Sequence, residues 1–259
     1  LDTAVLCYDA TEVYKPVRFG IPSSLIASVI LFSSLALYPA LLHPVGGNLP
    51  QTSPESQGAT RTIVLDAPHG GSDPGARWPG GVTEKELVLN LTAAVAQRLQ
   101  GSGYRVMLTR HSDVDLSFDE RAALANGTPH AVFVTLHVGS APPDGSVFVF
   151  YYSFGQIADA PATLTGLTLW TEAQRQWAGY SQRLAQLLQA EFQRTLQASP
   201  ELPTAAAIYQ LRLIAAPAVA VEIETRRPEI VPGLVGTISE TLVRSLQAFQ
   251  SFLSQPPPS

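Results

Sequence analysis

Four side chains have the types and the spacing to do metal chemistry: His69, Glu84, His137 and Glu222. His69 closes the segment Arg61-Thr-Ile-Val-Leu-Asp-Ala-Pro-His69 and precedes a turn rich in glycine (Gly70, Gly71, Gly75). His137 ends the apolar run 131–137, and Glu222 follows Ala-Val-Ala-Val. Two neutral imidazoles and one carboxylate make a common catalytic zinc shell that keeps a fourth position open. Zinc so held lowers the pKa of water and polarises a carbonyl. A second carboxylate can then take a proton and return it to a leaving group. Each residue also has a plain structural reading. His69 can be an acid, a base or a loop side chain, and His137 a hydrogen-bonded core histidine. Glu84 can complement a helix dipole, and Glu222 can pair with Arg226 or Arg227.

The elements that must position these groups follow from the apolar patterning. β-Rich runs at 61–66, 104–110, 131–137, 146–152, 207–213 and 218–223 read as strands. Helical stretches are expected at 84–100, 118–126, 171–198 and 234–253. Thr83 with Glu86, and Ser117 with Glu120, have capping-box spacing, and Gly101 and Gly127 are natural stops. Such alternation predicts an α/β fold, a single domain with a mostly parallel twisted sheet flanked by helices. If the strands are parallel neighbours, His69, His137 and Glu222 collect at one sheet edge, and the loop after His69 can bring Glu84 to the same rim. Residues 138–170 are loop-rich apart from the 146–152 strand and are expected to line a groove.

Hydrophobic content of 46% against 14% charged residues is apolar for a globular chain. The excess is concentrated in 19–42, which is long enough to span a bilayer as one helix. Lys15 and Arg18 precede it, and no Lys or Arg follows until Arg61, which predicts a cytoplasmic N-terminus. The expected layout is therefore a short cytoplasmic segment at 1–18, an anchor at 19–42 and a Pro/Gly/Ser-rich linker at 43–60. A catalytic domain at 61–253 and a disordered tail at 254–259 complete it. A cleaved signal sequence is the competing reading of 19–42. The first residue is Leu1 and not methionine, which leaves open an incomplete or misread start. Cys7 is the only cysteine, which excludes an internal disulfide and a cysteine metal site. A net charge of −5 leaves no basic footprint for nucleic acid. His43, His111 and His130 read as surface residues.

The order of these residues resembles the zinc-dependent N-acetylmuramoyl-L-alanine amidases of the type-3 family. Asp66-Ala-Pro-His69-Gly-Gly-Ser-Asp73-Pro-Gly-Ala76 is similar to the family's opening motif, and Glu84-Lys85-Glu86-Leu87 to its second ligand segment. Val106-Met-Leu-Thr-Arg110, Glu120-Arg121 through Asn126, Val134-Thr-Leu-His137 and Ala216 to Glu222 match further segments in the same order. The chain departs from the pattern at Ala67-Pro68, at Val138-Gly139 and at Glu224-Thr-Arg-Arg-Pro-Glu.

The resemblance implies hydrolysis of the amide between N-acetylmuramic acid and L-alanine in peptidoglycan. It implies a Zn²⁺ ion on His69, Glu84 and His137, with Glu222 as general base and then general acid. Glu224 lies two residues on, on the same strand face, and is the other candidate base. Asp66 is expected to orient a ligand histidine, and Arg226 or Arg227 to hold a stem-peptide carboxylate. With the anchor, the catalytic domain is expected outside the cytoplasmic membrane, in the periplasm or wall; the motifs name no protein activator. Two other readings stay open. One is a catalytically degenerate peptidoglycan-binding or regulatory member, the other a zinc hydrolase of a different extracytoplasmic amide.

Overall fold

In the computed structural model, the compact unit Ser56–Ser259 is described over residues 62–154 and 170–254. The expected anchor, the linker and all but the first residue of the tail, together with Cys7 and His43, lie outside the described residues. Among the described residues, no helix is long and apolar enough to cross a membrane.

The chain order is β1 (Thr62–Asp66), α1 (Glu84–Gly101), β2 (Arg105–Leu108), α2 (Phe118–Asn126), β3 (Ala131–Gly139) and β4 (Ser146–Tyr152). Then come α3 (Ala178–Thr195), β5 (Thr204–Ala206), α4 (Tyr209–Arg212), β6 (Ala218–Glu224) and α5 (Val231–Leu253). The six strands form one sheet in the order β2-β1-β3-β6-β4-β5. All neighbours are parallel except β4 and β6. This is the expected single α/β domain with a mostly parallel sheet between helices.

The parity of the strands assigns their side chains to two layers. Ile63, Leu65, Val132, Val134, Leu136, Val219, Val221 and Ile223 pack with α1, α3 and α5 in the larger core cluster. Helix α1 contributes Val88, Leu91, Val95 and Leu99, and α5 contributes Ile238, Leu242, Leu246 and Phe249. These spacings are the apolar stripe of an amphipathic helix. The opposite parity sends Val64, Phe133, Ala218 and Ala220 against α2 and the α4 region. Continued to the strand ends, that second parity contains Asp66, Thr135, His137, Glu222 and Glu224. The site residues therefore share one face, at the C-terminal ends of three adjacent parallel strands.

Three expectations change. The run 207–213 is not a strand: Tyr209–Arg212 is a short helix, and the edge strand lies earlier, at Thr204–Ala206. Helical spacing buries Leu211 and Ile214 beneath the sheet, and Gln210 is turned inward to donate to Asp66 Oδ2 at 2.8 Å. The helix expected over 171–198 begins as two 3-10 turns and becomes α-helical only at Ala178. The capping box at Ser117 and Glu120 is present, whereas Thr83 makes no side-chain cap and donates its hydroxyl to Glu86 Oε2 at 2.9 Å.

Candidate metal centre

Glu84, at the first turn of α1, is 5% exposed and faces inward. Its two oxygens divide between the histidines: Oε2 lies 3.1 Å from His69 Nε2 and Oε1 lies 3.1 Å from His137 Nδ1. Backbone N–H groups of Ala76 (2.9 Å) and Val138 (3.1 Å) donate to the same two oxygens and fix the carboxylate plane. The imidazole rings stand nearly perpendicular, their centroids 5.4 Å apart. One ligand atom from each of His69, Glu84 and His137 lies within 4.8 Å of the others. A tetrahedral ion with bonds of about 2.0–2.2 Å needs donors roughly 3.4 Å apart. Each histidine nitrogen lies 3.1 Å from one of the two Glu84 oxygens, close to that requirement, and the nitrogen and oxygen donors suit a metal cation.

The ring of His69 is held from the other side. Its Nδ1 meets Asp73 Oδ2 at 2.7 Å, which turns Nε2 toward Glu84. Sequence reasoning missed Asp73; its signal was the i,i+4 spacing from His69 within the Gly-Gly-Ser-Asp turn. The turn closes through reciprocal backbone bonds between Gly70 and Asp73 (2.9 and 3.0 Å). His69 itself adopts φ +60, a left-handed conformation uncommon for a residue with a side chain.

That backbone is held by buried arginines. Arg121 donates to Ala67 O (2.7 Å) and His69 O (2.9 Å), and Arg110 to Ala67 O (2.8 Å) and Pro68 O (3.0 Å). Asp66 does not touch a histidine, contrary to expectation. Its carboxylate accepts from Arg121 (2.6 Å), Thr109 (2.6 Å), Thr135 (2.8 Å) and Gln210 (2.8 Å), and so acts on His69 only through Arg121. Burial would raise the Asp66 carboxyl, but Arg121 and these donors hold it below the usual carboxylate range.

Gly75 completes the cradle. It has φ +64, and a Cβ there would sit 2.6 Å from Glu84 Oε2 and 2.7 Å from His69 Cδ2. Gly75→Ala is therefore expected to push both ligands apart and weaken metal binding by about 10- to 100-fold, the usual cost of disturbing the groups that orient ligands. Isothermal titration with zinc measures this, and wild-type affinity in the variant would refute the close fit.

Glu222 pairs in register with His137 across β3 and β6, which puts its carboxyl on the face that carries His137, in the field of His137 and Glu84. Burial, only partly offset by His137 and reinforced by Glu224 and Glu84, pushes it up to about 7. Neither Arg226 nor Arg227 pairs with Glu222. Both bind Asp144, at 3.3 and 3.2 Å, and remain more than half exposed. His111 and His130 are exposed, as expected.

Without a cation the cluster is a hydrogen-bonded ion network. Burial would raise the Glu84 carboxyl, yet His137 and His69 hold it well below the usual range. Burial likewise opposes a charge on His69, but Glu84 and Asp73 together push it up to about 9. Because the folded pKa exceeds the unfolded 6.5, the stabilisation is full below pH 6.5 and is lost as pH rises through about 9. Metal-free protein is expected to lose about 2–3 kcal/mol over that interval, from 1.36 kcal/mol per pKa unit. Urea unfolding at several pH values tests this, and an equal slope in His69→Ala would assign the effect elsewhere.

The comparisons with known proteins point one way. A family model described as N-acetylmuramoyl-L-alanine amidase matches residues 63–225. The N-acetylmuramoyl-L-alanine amidase AmiC of Neisseria meningitidis serogroup B is 39% identical over 88 residues, 34% of this chain and 21% of that protein. The endolysin of Bacillus phage SPP1 is 39% identical over 94 residues, 36% of this chain and 34% of that protein. The chain thus spans about a fifth to a third of the length of these relatives. Among solved structures, an N-acetylmuramoyl-L-alanine amidase from Clostridium difficile 630 shares the fold with a TM-score of 0.59 at 19% identity. That match covers 77% of this chain and 100% of the other. Ami1 from Mycobacterium smegmatis gives 0.57 at 20%, covering 75% and 98%.

Proposed function

Since the chain belongs to the N-acetylmuramoyl-L-alanine amidase family, we propose that it hydrolyses the amide joining the lactyl group of N-acetylmuramic acid to the L-alanine of the peptidoglycan stem peptide. The observation that carries this reading is the convergence of His69, Glu84 and His137 on one point beside Glu222. The ion they would hold is Zn²⁺, for which two imidazoles and a carboxylate are a common catalytic set. When bound, zinc supplies Lewis acidity toward an amide carbonyl and toward water.

The remaining work falls to the chain. Glu222 takes the proton of the attacking water and delivers it to the departing L-alanine nitrogen. In the metal-free site, burial pushes this carboxyl up to about 7, a setting suited to a group that accepts and then releases a proton. Glu84 and Asp73 keep the His69 ring fixed through both steps, and the arginine-bound 67–69 backbone keeps that ring at the rim.

The experiment is zinc stoichiometry by equilibrium dialysis. The expected result is one zinc per chain, lost in His137→Ala, with about one proton released at pH 7 because the His69 proton must leave. A chain that retains no zinc would overturn the metal assignment. Residues 19–42 serve in this account as a membrane anchor, with 43–60 as the linker that carries domain 61–253 to peptidoglycan outside the cytoplasmic membrane. Protease protection in spheroplasts tests that placement, and a domain inaccessible from outside would contradict it.

A further inference from the structure

Glu224 shares the β6 face with Glu222, and its main chain pairs with Gly139 of β3. The residue is 9% exposed, and among the described residues no cation pairs with its carboxylate, an unusual position for such a group. Ala141 N–H donates to Oε2 at 2.8 Å, and the Glu222 side chain is its neighbour two residues away on the same face of β6. The space for it is provided by Gly139. The three atoms nearest a Cβ built there all belong to the Glu224 carboxyl group, with Cδ at 2.6 Å and Oε1 at 2.7 Å. Gly139 has no left-handed φ, so the missing side chain serves space and not backbone conformation.

The geometry points to Glu224 as a positioning residue for Glu222. It is fastened by Ala141 N–H and lodged over Gly139, and it holds the Glu222 carboxyl toward the metal centre. The inference rests on the amidase reading for its catalytic consequence, but the placement of Glu222 can be observed without it. Gly139→Ala is an independent probe, because the atoms nearest the added methyl are those of the Glu224 carboxyl end.

The test combines kinetics with structure. Glu224→Ala is expected to lower kcat for stem-peptide release from sacculi by about 10- to 100-fold, the cost of misplacing a reacting group by about an ångström. KM and zinc content should stay at wild-type values. Gly139→Ala should reproduce the deficit, and adding it to Glu224→Ala should cost nothing more, since both remove the same support. Glu224→Gln should recover most of the rate, because its amide can donate to Glu222 while its oxygen accepts from Ala141. Crystal structures of the metal-free variants give the second readout. The Glu222 carboxyl should shift in Glu224→Ala and Gly139→Ala and hold its place in Glu224→Gln. An unmoved Glu222 in Glu224→Ala, multiplicative kinetic effects or a deficit that tracks lost zinc would each overturn the inference. Absence of release by the wild type would refute the amidase reading alone, with the Glu222 position still deciding this one.

Discussion

Replacing Glu222 with alanine is expected to lower stem-peptide release by about 10²- to 10⁴-fold, the range usual for a positioned acid–base group, while zinc binding persists. The persistence follows from the layout. Among the described residues Glu84 is the one that bridges the two histidines, and Glu222 stands on the neighbouring strand. Loss of rate with the metal retained separates the proton-transfer group from the ligands, whose removal should abolish both. Full activity in Glu222→Ala would move the base elsewhere, with Glu224 the nearest candidate.

The second large effect is on stability. Arg121 and Asp66 form an ion pair at 2.6 Å with side chains 3% and 0% exposed. Arg121→Ala leaves a carboxylate in the interior without its countercharge, at a cost of roughly 3–5 kcal/mol. For a domain of this size, that is a fall in melting temperature of roughly 10 °C at 2–4 °C per kcal/mol. The same change frees the Ala67 and His69 carbonyls, so zinc affinity should fall with stability. Thermal denaturation followed by circular dichroism measures the first part. A change below 1 kcal/mol would mean that Thr109, Thr135 and Gln210 suffice for Asp66.

Much of this arrangement was legible in the sequence because parallel strands covered on both faces need continuous apolar runs. Those runs end where the chemistry begins. The ends of β1, β3 and β6 were readable in this way, and with them the meeting of His69, His137 and Glu222 at one edge. The segment 207–213 was not, because Ile208, Leu211 and Ile214 fit a short helix as well as their neighbours fit a strand, and the burial of Leu211 and Ile214 and the bond from Gln210 to Asp66 go with the helix. The carboxylate that orients a ligand histidine was misassigned for a related reason. Asp66 ends a strand and Asp73 sits in a turn, so sequence position favours Asp66, but a buried arginine claims it and leaves Asp73 for the ring. Contacts between side chains distant in sequence leave no periodic trace, which is also why Glu224 over Gly139 emerges only in three dimensions.

The most direct test of the central claim is mass spectrometry of the products formed from purified sacculi by the zinc-loaded chain, with Glu222→Ala alongside. The account predicts free peptides with L-alanine at their N-terminus and glycan strands whose muramyl lactyl groups end in free carboxylates, formed by the wild type and nearly absent with the variant. Intact stem peptides on the glycan after prolonged incubation with zinc-bound wild type, or cleavage at another bond, would contradict it.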